Sequence, residues 1–186
     1  MPAPIVLWWD PTLNNGNGGP TSTWNAGTVD ADSYSAVKEL WVFNNKGGSE
    51  AVSDMTNVFV TTKDSNGLDG GPVADKSQAV VEVSMWDGAS GTWKSWKEIY
   101  GSSVTEDVLN AAGQVASGDT IANRISGMVN PTDPNDTNYS DPNTLKKYAK
   151  MKLRLHVFEN ATAGPMAWKT RVSYQYTWYL QLCNIL

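Results

Sequence analysis

Strict alternation of apolar and polar residues between Lys150 and Trp178 constrains the fold more than any other feature of this sequence. The apolar positions are Met151, Leu153, Leu155 and Val157 in the first half, and Trp168, Val172, Tyr174, Tyr176 and Trp178 in the second. A short turn containing Gly164 and Pro165 joins the two halves. A period of two residues is typical of strands with one buried face, so the segment predicts a half-buried antiparallel sheet. Such a sheet needs a second sheet to cover its apolar face.

Other strand-like segments are separated by loops rich in Gly, Asn, Asp and Pro, which favour turns. The predicted strands span residues 5–9, 35–44, 54–63, 78–86, 92–99 and 121–129. Only residues 106–112 suggest a short helix, with Thr105 as its N-cap. Because strands and helices do not alternate, the chain is predicted to be an all-β sandwich with long loops and at most one short helix.

The chain has 186 residues, which is long enough for one domain with a substantial core. We expect an N-terminal arm and loop at residues 1–20, a sandwich domain at 21–178, and an apolar C-terminal tail at 179–186. Residues 102–143 break the strand pattern and end in an Asn, Pro and Asp rich stretch, so they are a candidate insertion.

Charge and cysteine content narrow the classes of partner. With 14 basic and 19 acidic side chains the net charge is 14 − 19 = −5, which argues against nucleic-acid binding and against binding to anionic membranes. The single cysteine, Cys183, excludes an internal disulfide framework. The first nine residues lack the basic start and the apolar length of a signal peptide, so we expect synthesis in a cytoplasm.

Two stretches resemble a known family. "WNAGTVDADSYSAVKELWVFNN" followed by "MTNVFVTTKDSNG" resembles the opening strands of immunoglobulin-like sandwich domains, and "MKLRLHVFENATAGPMAWKTRVSYQYT" resembles the closing pair of strands. Together they are similar to structural proteins of tailed bacteriophages, in which such folds decorate heads, tails or baseplates. The resemblance implies an immunoglobulin-like, Greek-key antiparallel β-sandwich in a virion structural protein. It identifies no catalytic residue and no cofactor.

The residues do not form a recognisable catalytic motif. His156 is the only histidine, which excludes His-based metal cages, and Cys183 lies in an apolar segment with no neighbour to activate it. Asp64, Asn66 and Asp69 imitate part of a calcium loop, but the distal glutamate is missing, and ordinary turn chemistry is the preferred interpretation. Glu82 could pair with Glu98 as in glycosidases, but sequence does not give their separation. We therefore predict a non-enzymatic protein without metal or cofactor.

Nine tryptophans are present, and Trp86, Trp93 and Trp96 fall on one predicted hairpin. They predict either a stacking platform for sugar rings or, more simply, core and protein-interface residues. Two functions follow: a virion protein that binds a capsid or tail lattice in many copies or as a homo-oligomer, or a carbohydrate-binding or receptor-binding module that contacts a cell-surface glycan.

Protein contacts are expected at the apolar ends of the chain and along a basic row on the alternating segment. The candidate contact residues are Ile5, Leu7, Trp8, Trp9, Arg154, Arg171, Leu182 and Leu186. The basic row is predicted to be one sheet face that is either solvated or bound to an acidic neighbour. Its members are Lys150, Lys152, Arg154, Lys169 and Arg171.

Overall fold

The computed structural model of the chain describes residues 1–87, 90–107, 124–127 and 148–176. Regular structure in these ranges consists of strands and one 3-10 turn at Asn14–Gly16. The strands are β1 (Val6–Asp10), β2 (Gly19–Pro20), β3 (Ser33–Tyr34), β4 (Lys38–Asn44), β5 (Met55–Asp64), β6 (Ala79–Asp87), β7 (Thr92–Trp93), β8 (Lys97–Ile99), β9 (Glu106–Asp107), β10 (Arg124–Ile125), β11 (Tyr148–Val157) and β12 (Trp168–Gln175). None of the described residues forms a helix of the length and apolarity that crossing a bilayer requires.

The strands form two sheets in which every described pair is antiparallel. The large sheet has the order β2-β1-β4-β11-β6-β7, with β3 also on β11 and β8 also on β6. The small sheet has the order β10-β5-β12, with β9 also on β5. The predicted all-β class is therefore confirmed. The immunoglobulin-like Greek key stays a prediction.

Apolar residues from both sheets meet in one buried core. From the large sheet it contains Leu40, Val42, Val81, Val83, Met85, Ile99, Met151, Leu153, Leu155 and Val157, and from the small sheet Met55, Val58, Val60 and Ile125. Partly buried Trp168, Val172 and Tyr174 of β12 pack against it. The alternation in the sequence correctly predicted which face of β11 and of β12 is turned inward.

The prediction that the two halves of this segment share a sheet is wrong. β11 lies inside the large sheet, where Met151 is across from Leu40 on β4 and from Met85 on β6. β12 pairs with β5 in the small sheet, with Val172 across from Val60. Alternation reports which face of a strand is buried but not which strand lies beside it, so the chain can change sheets at the turn without leaving a trace in the pattern.

The first twenty residues contribute two strands to the large sheet. β1 pairs with β4 from Val6 to Trp9, and β2 pairs with the end of β1. Val6 and Trp8 pack against the main core, whereas Trp9 is only 8% exposed and lies in a second cluster on the opposite side of the sheet. These apolar residues are therefore used within the chain itself, while Ile5 remains 55% exposed.

The region predicted as an insertion contributes to the small sheet where it is described. Glu106 and Asp107 are extended and pair with β5, so the predicted helix does not begin at 106. Ile125 pairs with Met55 and is fully buried, as its strand pattern predicted. The rest of that helix, the long Asn, Pro and Asp rich loop and the C-terminal tail at 179–186 lie outside the described residues.

Asn44, at the end of β4, ties the two sheets together from inside the protein. Its side chain is fully buried, and Nδ2 donates to the carbonyl oxygens of Ser53 (3.0 Å) and Ile125 (3.1 Å). Its Oδ1 accepts a hydrogen bond from the backbone N–H of Ile5 (3.2 Å). One amide thereby bonds backbone groups from three separate segments, and its two bonds to the carbonyl oxygens of Ser53 and Ile125 are buried.

Replacing Asn44 by Ala is expected to lower the free energy of unfolding by roughly 1–3 kcal/mol for each buried backbone group that is left unpaired. Chemical denaturation measures this loss. The control is Asn66→Ala, at an exposed turn position, which should change stability by less than about 0.5 kcal/mol. Equal effects in the two variants would contradict the structural role of Asn44.

Asp10 fastens the end of β1 to the start of β4. Its carboxylate pairs with Lys38 and accepts hydrogen bonds from the backbone N–H (2.9 Å) and hydroxyl (2.7 Å) of Thr12. Burial by itself raises the pKa of Asp10, but the hydrogen bonds from Lys38 and Thr12 outweigh it, so the pKa lies below its ordinary value of 3.8. The ionised form is thus favoured in the folded protein.

Because the folded pKa of Asp10 is lowered, its contribution to stability is present above the ordinary pKa and is lost as pH falls from there through the lowered value. The melting temperature of the wild type should therefore approach that of Asp10→Asn as the solution is acidified below about pH 4. Lys38→Met removes the main partner but keeps the Thr12 hydrogen bonds, so it should lose part of the same pH dependence. If the melting temperatures of the wild type and of Asp10→Asn differ by the same amount at every pH down to low pH, this explanation is refuted.

Candidate functional surface on the outer face of the large sheet

The face of β11 that points away from the core is lined by aromatic rings and cations. Its residues come from β3, β6, β7, β11 and the loops beside them, and we call this surface the aromatic face. It comprises Tyr34, Trp86, Trp93, Trp96, Lys150, Lys152, Arg154, His156 and Phe158. These side chains are half-buried except Tyr34, which is 48% exposed. Outer sheet faces are ordinarily polar and solvated, so such a concentration of rings needs an explanation.

Two lysines lie over two tryptophans at one end of the aromatic face. Trp86 on β6 is across from Trp93 on β7, and their rings meet edge to face with centroids 5.2 Å apart. Lys150 Nζ is 4.0 Å from the Trp86 ring centroid, and Lys152 Nζ is 4.2 Å from that of Trp93. Burial, with repulsion from Lys152, lowers the pKa of Lys150, while the charge of Glu39 acts against this. These contacts hold the indole rings in fixed positions.

Arg154 occupies the centre of the aromatic face between two rings. Its guanidinium carbon is 4.0 Å from the ring centroid of Tyr34 and 4.3 Å from that of Trp96. The Nε and Nη2 atoms lie 2.7 Å and 2.5 Å from Oε2 of Glu82, which is across from Arg154 on β6. A planar, charged group can stack and form an ion pair at the same time, which a lysine cannot do. The charge of Arg154 is therefore matched within the chain.

His156 continues the aromatic face toward the end of β11. Its ring stacks on Tyr34 with centroids 4.3 Å apart and an interplanar angle of 18°, and it meets Phe158 edge to face at 5.4 Å. Tyr34 is thus in contact with both His156 and Arg154, although it lies about 120 residues earlier in the chain. The only histidine of the sequence is a member of a ring cluster on a strand surface.

A second cluster of rings adjoins the aromatic face on the same side of the sheet. Trp9, Trp41, Phe43 and Tyr148 are all buried, with Phe43 and Tyr148 stacked at 4.9 Å. Lys46 Nζ lies 3.8 Å from the centroid of the Trp9 ring. Since Tyr148 and Lys150 are alternate residues of β11, rings and cations follow this strand along its whole length.

The sequence correctly placed the three tryptophans on one hairpin but left open whether they belong to the core, to a protein interface or to a sugar-binding surface. The predicted hairpin is confirmed, since β6 pairs with β7 and β8. The prediction of a single basic row is wrong. Lys150, Lys152 and Arg154 are on the large sheet, whereas Lys169 and Arg171 are on the outer face of β12 in the small sheet, whose other face packs on the core. Leu182 and Leu186 lie outside the described residues.

Sequence reasoning missed Tyr34 and Phe158. β3 has only two residues, too few to show alternation, and its pairing with β11 brings Tyr34 opposite His156 from a distant part of the chain. Phe158 directly follows β11, and its ring is placed by the turn that leaves the strand. Neither residue gives a local signal that would assign it to this surface.

The carboxylates considered for catalysis or metal binding are engaged in structural contacts. Glu82 and Glu98 are cross-strand neighbours, but Glu82 pairs with Arg154 and Glu98 with Lys76. Asp64 Oδ1 accepts backbone N–H groups of its own turn, the geometry of an Asx turn. Within the described ranges, no three His, Cys, Asp or Glu side chains gather as a metal site would require.

Arg154→Lys is expected to reduce the free energy of unfolding by about 1–2 kcal/mol, because the ammonium keeps the charge but loses the stacking between two rings. The matched control is Arg171→Lys on the exposed side of β12, which should change stability by less than about 0.5 kcal/mol. Urea denaturation of both variants measures the difference. If the two substitutions cost the same, the stacked geometry of Arg154 contributes nothing.

No protein-family model matches the sequence, and no curated protein matches it. Function has to be argued from the residues of the aromatic face and from the fold that presents them.

Proposed function

We propose that this chain is a non-enzymatic structural protein of a tailed-bacteriophage virion, an immunoglobulin-like sandwich that binds a capsid or tail lattice as a decoration or accessory protein. The resemblance of its opening and closing strands to such proteins supports the setting. The observation that carries the binding role is the aromatic face, because Tyr, Trp, Phe and Arg are the residues enriched at protein interfaces.

The partial burial and the fixed positions of these rings favour a contact surface. Trp86, Trp93 and Trp96 are each half-buried, and each has a cation against its ring within about 4.5 Å. Side chains that are held in place before binding lose less conformational entropy when a partner arrives. The aromatic face is therefore preorganised and still offers apolar area to a neighbour.

The charges of the aromatic face suggest what the partner supplies. Arg154 is paired with Glu82, and the charged ammonium groups of Lys150 and Lys152 lie against rings, so the surface combines apolar area with cations that already have a partner within the chain. A partner patch of similar polarity suits it better than a strongly acidic one. On a lattice, many copies with modest individual affinity give stable attachment through multivalency.

The experiment is incorporation into particles of the virus whose genome encodes the chain. Mass spectrometry of purified particles should detect the wild-type protein, and Tyr34→Ser should reduce its copy number at least about tenfold, the effect of losing one interface anchor. The matched control is Leu68→Ser, because Leu68 is 64% exposed in the turn after β5, away from the aromatic face. Purified particles that lack the wild-type chain would refute the proposal, and unchanged incorporation of Tyr34→Ser would refute the role of this face.

A second candidate, a carbohydrate-binding or receptor-binding module, is favoured by one specific observation. Trp96 lies against Arg154, which pairs with Glu82, and Trp86 and Trp93 lie against Lys150 and Lys152, so stacking surfaces and hydrogen-bonding groups share one face. A glycan microarray probed with the wild type and with Trp93→Ala separates the candidates. Glycan binding that disappears in a folded Trp93→Ala variant supports the second function, and absence of glycan binding with retained incorporation supports the first.

A further inference from the structure

Within the described residues, β12 is the edge strand of the small sheet. It pairs along its length with β5, from Trp168 across Asp64 to Gln175 across Thr56, and it is the last strand of the small sheet. Among the described residues, no strand pairs with its other side. An unpaired edge leaves a row of backbone N–H and C=O groups ready to bind another extended chain.

A groove runs beside this edge. It has a volume of about 380 Å³ and is lined by Trp8, Leu40, residues 21–24 and residues 168–170. Trp24 and Trp168 meet edge to face at 5.4 Å, and both also line a second groove of about 680 Å³. Both volumes fall in the range that binding clefts occupy. The apolar walls lie on the inner side of β12, where Trp168 and Val172 point toward the core.

The outer side of the same strand is basic. Lys169 and Arg171 are exposed, and neither forms an ion pair with any described residue. By contrast, Arg154 forms an ion pair with Glu82, and Lys63 forms one with Asp69. β12 therefore combines an edge that no described strand covers, a groove with both apolar and polar walls, and two cations without an ion pair in the described residues.

The two charges select among the chains that could occupy the edge. A second copy of β12 paired antiparallel about Thr170 would place Lys169 across from Arg171, and pairing about Arg171 would place the two Arg171 side chains across from each other. Like-charge repulsion disfavours both registers. An acidic strand gains attraction at the same positions. Positive charge at the edge of a sheet thus disfavours pairing with a second copy and favours pairing with an acidic strand.

We propose that the open edge of β12 binds an extended acidic segment of another protein by strand addition. In an added strand alternate side chains follow the two sides of β12, so its apolar residues face the groove and its acidic residues lie beside Lys169 and Arg171. The ligand class is a strand that alternates apolar residues with Asp or Glu. This site is distinct from the aromatic face and does not depend on the proposed function.

The probe is a capped peptide of about nine residues that alternates valine and glutamate, titrated into the full chain by calorimetry at neutral pH and moderate salt. Binding is expected, with a loss of affinity of about tenfold or more for the double variant Lys169→Glu and Arg171→Glu. The double variant Lys94→Glu and Lys97→Glu, with the same change in net charge on the other sheet, should bind as the wild type does.

Two further peptides test the geometry. A proline at the centre removes a backbone donor and cannot sit inside a sheet, so it should abolish binding while keeping the charge. A valine and lysine peptide should bind only to the Lys169→Glu and Arg171→Glu variant. The proposal is overturned if the glutamate peptide does not bind, if both double variants weaken it equally, or if native mass spectrometry finds a dimer that charge reversal on β12 dissociates.

Discussion

The structure depends on the burial of β11 between β4 and β6. The apolar side of this strand supplies Met151, Leu153, Leu155 and Val157 to the core, and both of its edges are paired over most of its length. Each fully buried side chain of this size contributes about 1.5–3 kcal/mol relative to exposure. A strand that is hydrogen-bonded along both edges and buried on its inner face has a fixed register. The residues on its outer face are then fixed in position as well.

The fixed register explains the aromatic face. Lys150, Lys152 and Arg154 are spaced two residues apart on a strand that cannot rotate. Each therefore contacts the side chains that the neighbouring strands place beside it on the same face of the sheet. What they meet are rings from β3, β6, β7 and the hairpin loop, at distances at which cation–π attraction is worth about 0.5–2 kcal/mol each. The packing of the core and the arrangement of the aromatic face are thus two consequences of the same strand.

The two sides of the sandwich differ in how they treat positive charge. On the aromatic face Lys150 and Lys152 lie against rings and Arg154 pairs with Glu82, whereas on β12 Lys169 and Arg171 are exposed without an ionic partner in the described part of the chain. The fold therefore places on two different sheets the basic residues that the sequence pattern grouped into one row.

The sequence by itself determined the secondary structure class, the inward faces of β11 and β12, and the hairpin that carries three tryptophans, because periodicity and turn residues are local properties. Only the tertiary structure decided that β11 and β12 belong to different sheets, that residues 6–9 form a strand of the large sheet, and that Tyr34 stacks on Arg154 and His156. Partner choice between strands depends on contacts between residues far apart in the chain. A two-residue pattern shows which face of a strand is buried, but it carries no information about the neighbour on either edge.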